Sequence, residues 1–229
     1  MKKTLGVIAA VCWLVFGITG VIRWTAGDGG LMAEEMLKTA PPETTGLPEK
    51  DYPGVCAMTA EYLTGRRETF QYVVAQGTDG TACMRTEVFQ EHEAAHMEDV
   101  RELIRLDLWV CIGSGMLAML VTAAGFLHRD GRRKFLQGMI WGILGTAGIA
   151  VFFGAWALLD FDGLFVTFHR VAFRNDGWLL NPKTDLLIRL MPVTFFVRLG
   201  VRGLLRFALF AVVFTAAVGI GLRRKKDEV

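Results

Sequence analysis

Residues 108–158 read LWVCIGSGMLAMLVTAAGFL (108–127), HRDGRRK (128–134) and FLQGMIWGILGTAGIAVFFGAWAL (135–158). Each apolar run reaches the roughly 20 residues that the hydrocarbon core of a bilayer demands of a helix, and a basic link separates them. The apolar residues are clustered rather than spread in helical or strand periods, so lipid rather than water is the solvent these runs are built for.

Working outward, two further runs meet the same criterion, Leu5 to Trp24 and about Leu204 to Leu222, and no fifth stretch competes. The expected fold is an α-helical polytopic membrane protein, one membrane domain over 1–229 with transmembrane helices at 5–24, 108–127, 135–158 and 204–222. Lys2 and Lys3 precede the first run, the link carries Arg129, Arg132, Arg133 and Lys134, and Arg223, Arg224, Lys225 and Lys226 follow the last. All three clusters fall on one side, which the positive-inside bias assigns to the cytoplasm together with both termini. His128, in the same link, reads as part of that topology signal. The first run lacks a small-x-small cleavage site and exceeds a usual signal-peptide core, so it reads as a span.

A hydrophobic content of 52% over 229 residues would also suit a soluble domain, so the clustering decides and the composition does not. The net charge of +2 is accounted for by the cytoplasmic clusters. No basic stripe with interleaved aromatics is present, which removes support for a nucleic-acid partner. Cys12 and Cys111 lie inside spans; Cys56 and Cys83 share the large outer segment, where an oxidising environment permits a bridge between them.

Two segments, 26–107 and 159–203, are too long to be simple connections and should carry the function on the outer face. The first is an α+β segment. Gly27-Asp28-Gly29-Gly30 and Pro41, Pro42, Pro48 and Pro53 punctuate its start, a short helix is expected around Ala57 to Leu63, and a hairpin follows. The hairpin would pair Thr69 to Val74 with Ala82 to Arg85 about a turn at Thr78 to Thr81. From Thr86 the period becomes helical and runs straight into the second span. The second segment opens with Phe161, Leu164, Phe165, Phe168 and Val171, the stripe of an interfacial amphipathic helix beside His169. A turn at Arg174 to Gly177, an interfacial Trp178, a short helix begun by Asn181-Pro182 and a break at Pro192 complete it.

The chemistry centres on three histidines. His92-Glu93-Ala94-Ala95-His96 fits the HExxH pattern of a zinc metalloprotease, two imidazoles one turn apart with a glutamate as general base. That reading needs a third ligand, His169 or an outer carboxylate, and a peptide cleft. His92 and Glu93 read more simply as solvated residues on a face shared with Glu87, Glu91 and Glu98. His96 has Asp99 at i+3, close enough to fix its tautomer, which is the wiring of an oriented general base. Asp160 and Asp162 accompany His169. Arg198, Arg202 and Arg206 recur every fourth residue and read as anchors for lipid phosphates. A non-catalytic scaffold that binds a partner through its outer segments is the third possibility.

Glu93-Ala94-Ala95-His96-Met97-Glu98-Asp99-Val100 resembles the E-x-x-H-M-x-D-V pattern ahead of the second span in the lipoprotein intramolecular transacylases of Gram-positive bacteria. Phe168-His169, Phe173, Asn175-Asp176, Trp178, Pro182, Asp185-Leu186-Leu187-Ile188, Pro192 and Phe195-Phe196 are similar to that family's pattern before the last span. The segment from Ala26 to Gln90 shares only Glu61-Tyr62-Leu63-Thr64-Gly65. The family pattern has no histidine requirement at His92, so under the resemblance HExxH is a coincidence and no metal is called for.

The resemblance implies a bacterial plasma-membrane enzyme whose active site lies at the outer leaflet. It implies transfer of the sn-2 acyl chain of a diacylglyceryl lipoprotein onto the α-amino group of its N-terminal cysteine, giving a lyso-form lipoprotein. No cofactor and no obligate protein partner are implied; the lipoprotein substrate and membrane lipids are. An α-amino group with a pKa near 7.7–8.0 must lose a proton before it attacks, and an imidazole suits that task. His96 and His169 are thus the expected catalytic pair, one taking the amine proton and the other assisting the leaving oxygen. Asp99 would orient His96, Asp162 or Asn175 would steady His169 or the oxyanion, and Glu93 belongs to the supporting set.

Overall fold

A computed structural model of the chain describes residues 1–78, 81–127 and 131–224, without the side chains of 75–78, 81–86 and 224. The elements run α1 (Lys2–Ala26), α2 (Gly29–Thr39), α3 (Pro42–Thr45), a 3-10 turn (Glu49–Asp51), α4 (Tyr52–Leu63), β1 (Val73–Thr78), β2 (Thr81–Glu87), α5 (Glu91–Leu127), α6 (Arg132–Leu159), α7 (Phe161–Ala172), α8 (Leu186–Leu190) and α9 (Val193–Arg224). Among the described residues four helices, α1, α5, α6 and α9, are long and apolar enough to cross a bilayer. Each contains one of the four apolar runs.

The chain forms two compact units. The first comprises Met1–Ile22, Asp107–Phe161 and Gly203–Val229. Here α1 and α6 touch backbone to backbone, because glycine stands where they meet. A Cβ on Gly6 would sit 2.0 Å from the Phe135 carbonyl oxygen, and one on Gly138 would sit 2.0 Å from that of Lys3. Without a hydrophobic drive between helices in lipid, such close approach is what holds them, through dispersion contacts. Ala9, Ala10, Phe135, Leu136, Met139 and Val218 form the buried centre, and Trp13 Nε1 donates to Thr122 Oγ1 at 3.1 Å. Trp109, Leu120, Trp141, Val151 and Leu209 lie exposed on the outside, an apolar surface of the extent that only lipid or protein normally covers.

The second unit comprises Arg23–Leu106 and Asp162–Arg202. Asp28 caps α2 by accepting the Leu31 N–H at 3.0 Å, a bond that satisfies one of the orphan donors of a helix start. Helices α2 and α4 press closely together, since a Cβ on Gly29 would meet Ala57 Cα and the Cys56 carbonyl oxygen at 3.0 Å. Met36, Tyr52, Val55, Met58, Phe70, Phe89, Met97, Leu187, Leu190 and Phe195 form the core. The Tyr52 hydroxyl, inside it, donates to the Ala40 carbonyl at 2.5 Å and accepts from Thr45 Oγ1 at 2.7 Å.

Several local expectations shift. The Gly- and Pro-punctuated start of this unit forms α2 and α3, and the helix expected around Ala57 to Leu63 begins earlier, at Tyr52. The first strand begins at Val73 rather than Thr69, because Arg67 donates to the carbonyls of Thr69 and Gln71 and removes them from the ladder. β1 and β2 pair antiparallel, Val73 opposite Glu87 and Val74 opposite Thr86, with an irregularity between Gln76 and Thr78. The turn residues Asp79 and Gly80 lie outside the described residues, as does His128. Helix α5 starts at Glu91 rather than Thr86, since β2 extends to Glu87 and Glu93 reaches back to accept the Gln90 N–H at 2.7 Å. Asn181-Pro182 opens a turn instead of a helix: Asn181 Oδ1 accepts the Lys183 N–H, Asp185 Oδ2 accepts the Asn181 N–H, and α8 begins only at Leu186.

Cys56 is a free, buried thiol 3.6 Å from Met36 Sδ, and burial pushes its pKa up to about 12. The side chain of Cys83, its suggested bridge partner, lies outside the described residues. Two of the three arginines read as lipid anchors, Arg198 and Arg202, are otherwise engaged. Arg198 and Arg202 both bind the Glu35 carboxylate, which is 1% exposed, and Arg202 also reaches Glu34 at 3.3 Å. The correction has a simple cause: a carboxylate buried by α2 must find cations, and α9 supplies two, four residues apart on one face.

Candidate active site

His96 and His169 meet within the second unit, their ring centroids 6.1 Å apart and each 8% exposed. His96 comes from the second turn of α5 and His169 from the last turn of α7. Their sequence separation of 73 residues is closed by the aromatic stripe of α7 and the residues after it. Phe165, Phe168, Phe173 and Trp178 surround the His169 ring with centroids at 4.2, 5.4, 5.4 and 5.2 Å, and Phe173 meets His96 edge-on at 5.3 Å.

That apolar wall governs the electrostatics. Burial, reinforced by the neighbouring His169 and opposed by Asp99, lowers the pKa of His96 to about 4. Burial also lowers His169, against the hydrogen bond to Phe165. A helix C-terminus ordinarily favours a protonated histidine by a few tenths to about 1 kcal/mol, which is too small to offset desolvation on this scale. Both imidazoles are therefore neutral at pH 7. His169 Nδ1 lies 2.8 Å from the Phe165 carbonyl oxygen. A carbonyl only accepts, so in the neutral ring Nδ1 carries the proton and Nε2 the lone pair. His96 Nδ1 is buried with no hydrogen-bond partner among the described residues.

The supporting residues fall differently from expectation. Asp99 does not bind His96; its Oδ2 accepts from Asn175 Nδ2 at 2.9 Å, which ties α5 to the turn between Phe173 and Trp178. Asn175 accordingly fastens that turn rather than contacting His169, and its Oδ1 accepts the Gly177 N–H. Asp162 is exposed and seven residues before His169 on the same helix, about 10 Å along its axis, so it does not reach the ring.

Glu93 is 0% exposed, which overturns its reading as a solvated residue. One oxygen accepts the Gln90 N–H and the other the Leu187 N–H at 2.6 Å, so a single carboxylate caps the starts of α5 and α8. With both oxygens engaged by backbone donors, Glu93 is not placed as the general base of a zinc site. His92 points elsewhere again, its Nε2 3.1 Å from Asp185 Oδ2. The Thr184 hydroxyl, the Asn181 N–H and His92 hold the Asp185 carboxyl down to about 2. This His92–Asp185 pair is invisible to sequence reasoning, because neither residue marks the other across 93 positions.

Three comparisons bear on this arrangement. The family described as lipoprotein intramolecular transacylase Lit matches residues 7–196. The fold is similar to the in meso structure of the membrane integral lipoprotein intramolecular transacylase Lit from Bacillus cereus, with a TM-score of 0.71 at 19% identity over 99% of this chain and 97% of that one. A variant of the same protein with one histidine changed to arginine gives 0.69 at 18% identity, covering 99% and 93%. A variant with histidine changed to alanine gives 0.65 at 18%, covering 99% and 94%. Curated protein sequences give no match.

Four apolar helices, a buried histidine pair and these likenesses define a multi-pass membrane acyltransferase. The chain belongs to the lipoprotein intramolecular transacylase family.

Proposed function

We propose that the protein transfers the sn-2 acyl chain of a diacylglyceryl lipoprotein to the α-amino group of its N-terminal cysteine, at the His96–His169 pair. The observation that carries this reading is the meeting of two buried, neutral imidazoles in a chain of this family. In the reaction the amine nitrogen bonds to the acyl carbon, the bond to the sn-2 oxygen breaks, and the amine proton ends on that oxygen. Nothing else is consumed. His169, with Nδ1–H held by Phe165 and its Nε2 lone pair free, is placed to take the amine proton. His96, whose Nδ1 is unpartnered, is placed to hydrogen-bond the ester or the leaving oxygen. Asp99, Asn175 and Glu93 position these two rings by fastening α5, α8 and the aromatic turn together. Donor and acceptor groups reside on one substrate molecule, so proximity supplies a large part of the rate.

In this reading the spans lie at 5–24, 108–127, 135–158 and 204–222, with both termini in the cytoplasm and the segments 26–107 and 159–203 outside. In support, α5 has 37 residues and is about 55 Å long, well beyond the ~30 Å hydrocarbon core, so its first turns project past the lipid. The test is mass spectrometry of lipoprotein N-terminal peptides from a diacylglyceryl-producing host that expresses the protein. The wild type and His92→Ala place the acyl chain on nitrogen. His96→Ala and His169→Ala lower that product by roughly 10²–10⁴-fold, the usual worth of acid–base assistance. Unchanged lipopeptides with the wild type would refute the reaction, and undiminished product with either variant would refute the site.

A further inference from the structure

A cavity of about 490 Å³, within the roughly 300–1,000 Å³ range of ligand sites, adjoins the histidine pair in the second unit. Phe173 and Trp178, which press on the His169 ring, also line this cavity. Its polar lining residues are Arg170, Arg174, Asn175 and Asp176. Among the described residues neither arginine has an ion pair or a side-chain hydrogen bond, whereas Asn175 beside them is fixed at both ends of its amide. Two exposed cations and one anion thus sit on a rim held rigid by other bonds.

We propose that this cavity is a subsite for the first residues of the polypeptide that follows the acceptor cysteine, with Arg170 and Arg174 donating to its carbonyl groups. The inference rests on the acyl-transfer reading above. The donor set is the argument. An extended peptide offers carbonyls that a guanidinium fork can bind and N–H groups that Asp176 can accept, and the aromatic wall accommodates its side chains. A phosphate headgroup would meet the Asp176 charge at the same rim, so the cavity suits a peptide better. A substrate whose amine reacts at His169 must also lead its polypeptide away through a polar exit, and this cavity, which shares Phe173 and Trp178 with the surroundings of the ring, offers one.

The experiment separates binding from catalysis. Diacylglyceryl-cysteine amide and the same lipid on cysteine followed by three residues, both with the α-amine acetylated so that no transfer occurs, are titrated against the full-length protein in nanodiscs. The wild type binds the longer ligand roughly three- to tenfold more tightly, as two exposed charge-assisted contacts would give. In Arg170→Ala/Arg174→Ala that ratio falls to near one, and Arg170→Lys/Arg174→Lys restores part of it. The ratio is internal to each variant, so a poorly folded fraction does not imitate the effect. Equal binding of the two lengths by the wild type overturns the proposal, as does a ratio that survives the double alanine variant. An arginine effect that follows the phosphatidylglycerol content of the nanodisc and is the same for both lengths assigns the cavity to a headgroup, and also overturns it. Length-dependent binding together with no transfer to free-amine ligands would sink the acyl-transfer reading and leave the subsite standing.

Discussion

At the residue scale the proposed function rests on two histidines whose environment is more informative than their identity. His96 titrates near 6.5 when unfolded and about 4 in the fold. Between those values the unfolded chain binds the extra proton, so the buried neutral ring contributes stability that is complete above about pH 6.5 and is lost as pH falls toward 4. The loss amounts to on the order of 3 kcal/mol. Thermal midpoints in detergent should therefore drop between pH 7 and pH 4.5, and His96→Gln should flatten that drop; an unchanged slope would contradict the burial argument. Under the proposed function the same neutrality sets the pH dependence of transfer. Since both ring pKa values lie below that of a free imidazole and both rings are neutral at pH 7, the acid limb of kcat/KM on a short lipopeptide should follow the acceptor amine, with a midpoint near 7.7–8.0. A midpoint near 6.5 would mean that an ordinary solvated histidine limits the rate. The histidines were legible as candidates from their motifs. The bond of Asp99 to Asn175, and that of His92 to Asp185, were not, because helical spacing offers a near partner at i+3 and says nothing of one 76 or 93 residues away.

At the scale of elements, buried carboxylates join helices that are distant in sequence. Glu93 caps α5 and α8 together, and Glu35 on α2 receives Arg198 and Arg202 from α9. For Glu35, burial opposes ionisation, yet the hydrogen bonds from the two arginines prevail and the pKa is lowered. The pair is asymmetric: the arginines are about half exposed and can return to water, whereas Glu35 cannot. Arg198→Ala/Arg202→Ala should thus destabilise by about 1–3 kcal/mol, less than for a fully buried pair because Lys38 remains 3.7 Å away. Glu35→Gln should cost less than the double arginine variant. Unfolding of the purified variants would decide, and the reverse order would show that the arginines, not the carboxylate, bear the desolvation. In the sequence these arginines look like lipid anchors, since a basic face at the start of a span has the same pattern whether its counter-ion is a phosphate or a glutamate.

At the scale of the whole molecule, four apolar helices follow from chain length and hydropathy, and the basic clusters are the signal for the proposed direction. A reporter fused after Val229, or placed at the 128–134 link, should be protected from impermeant thiol reagents and proteases in intact cells, while one inserted at 40–48 should be accessible. The opposite pattern would invert the assigned orientation. By itself the sequence determined the number of spans, their orientation signal and the family, because these depend on runs and motifs that are local in the chain. It also named the two histidines. What only the tertiary structure decided is which groups meet: the apolar cage that keeps the histidine pair neutral, the tautomer that Phe165 imposes on His169, and the capping of two helices by Glu93. Each of these depends on packing between segments some 70 to 90 residues apart or on the direction of a single hydrogen bond, and periodicity in a linear sequence encodes neither.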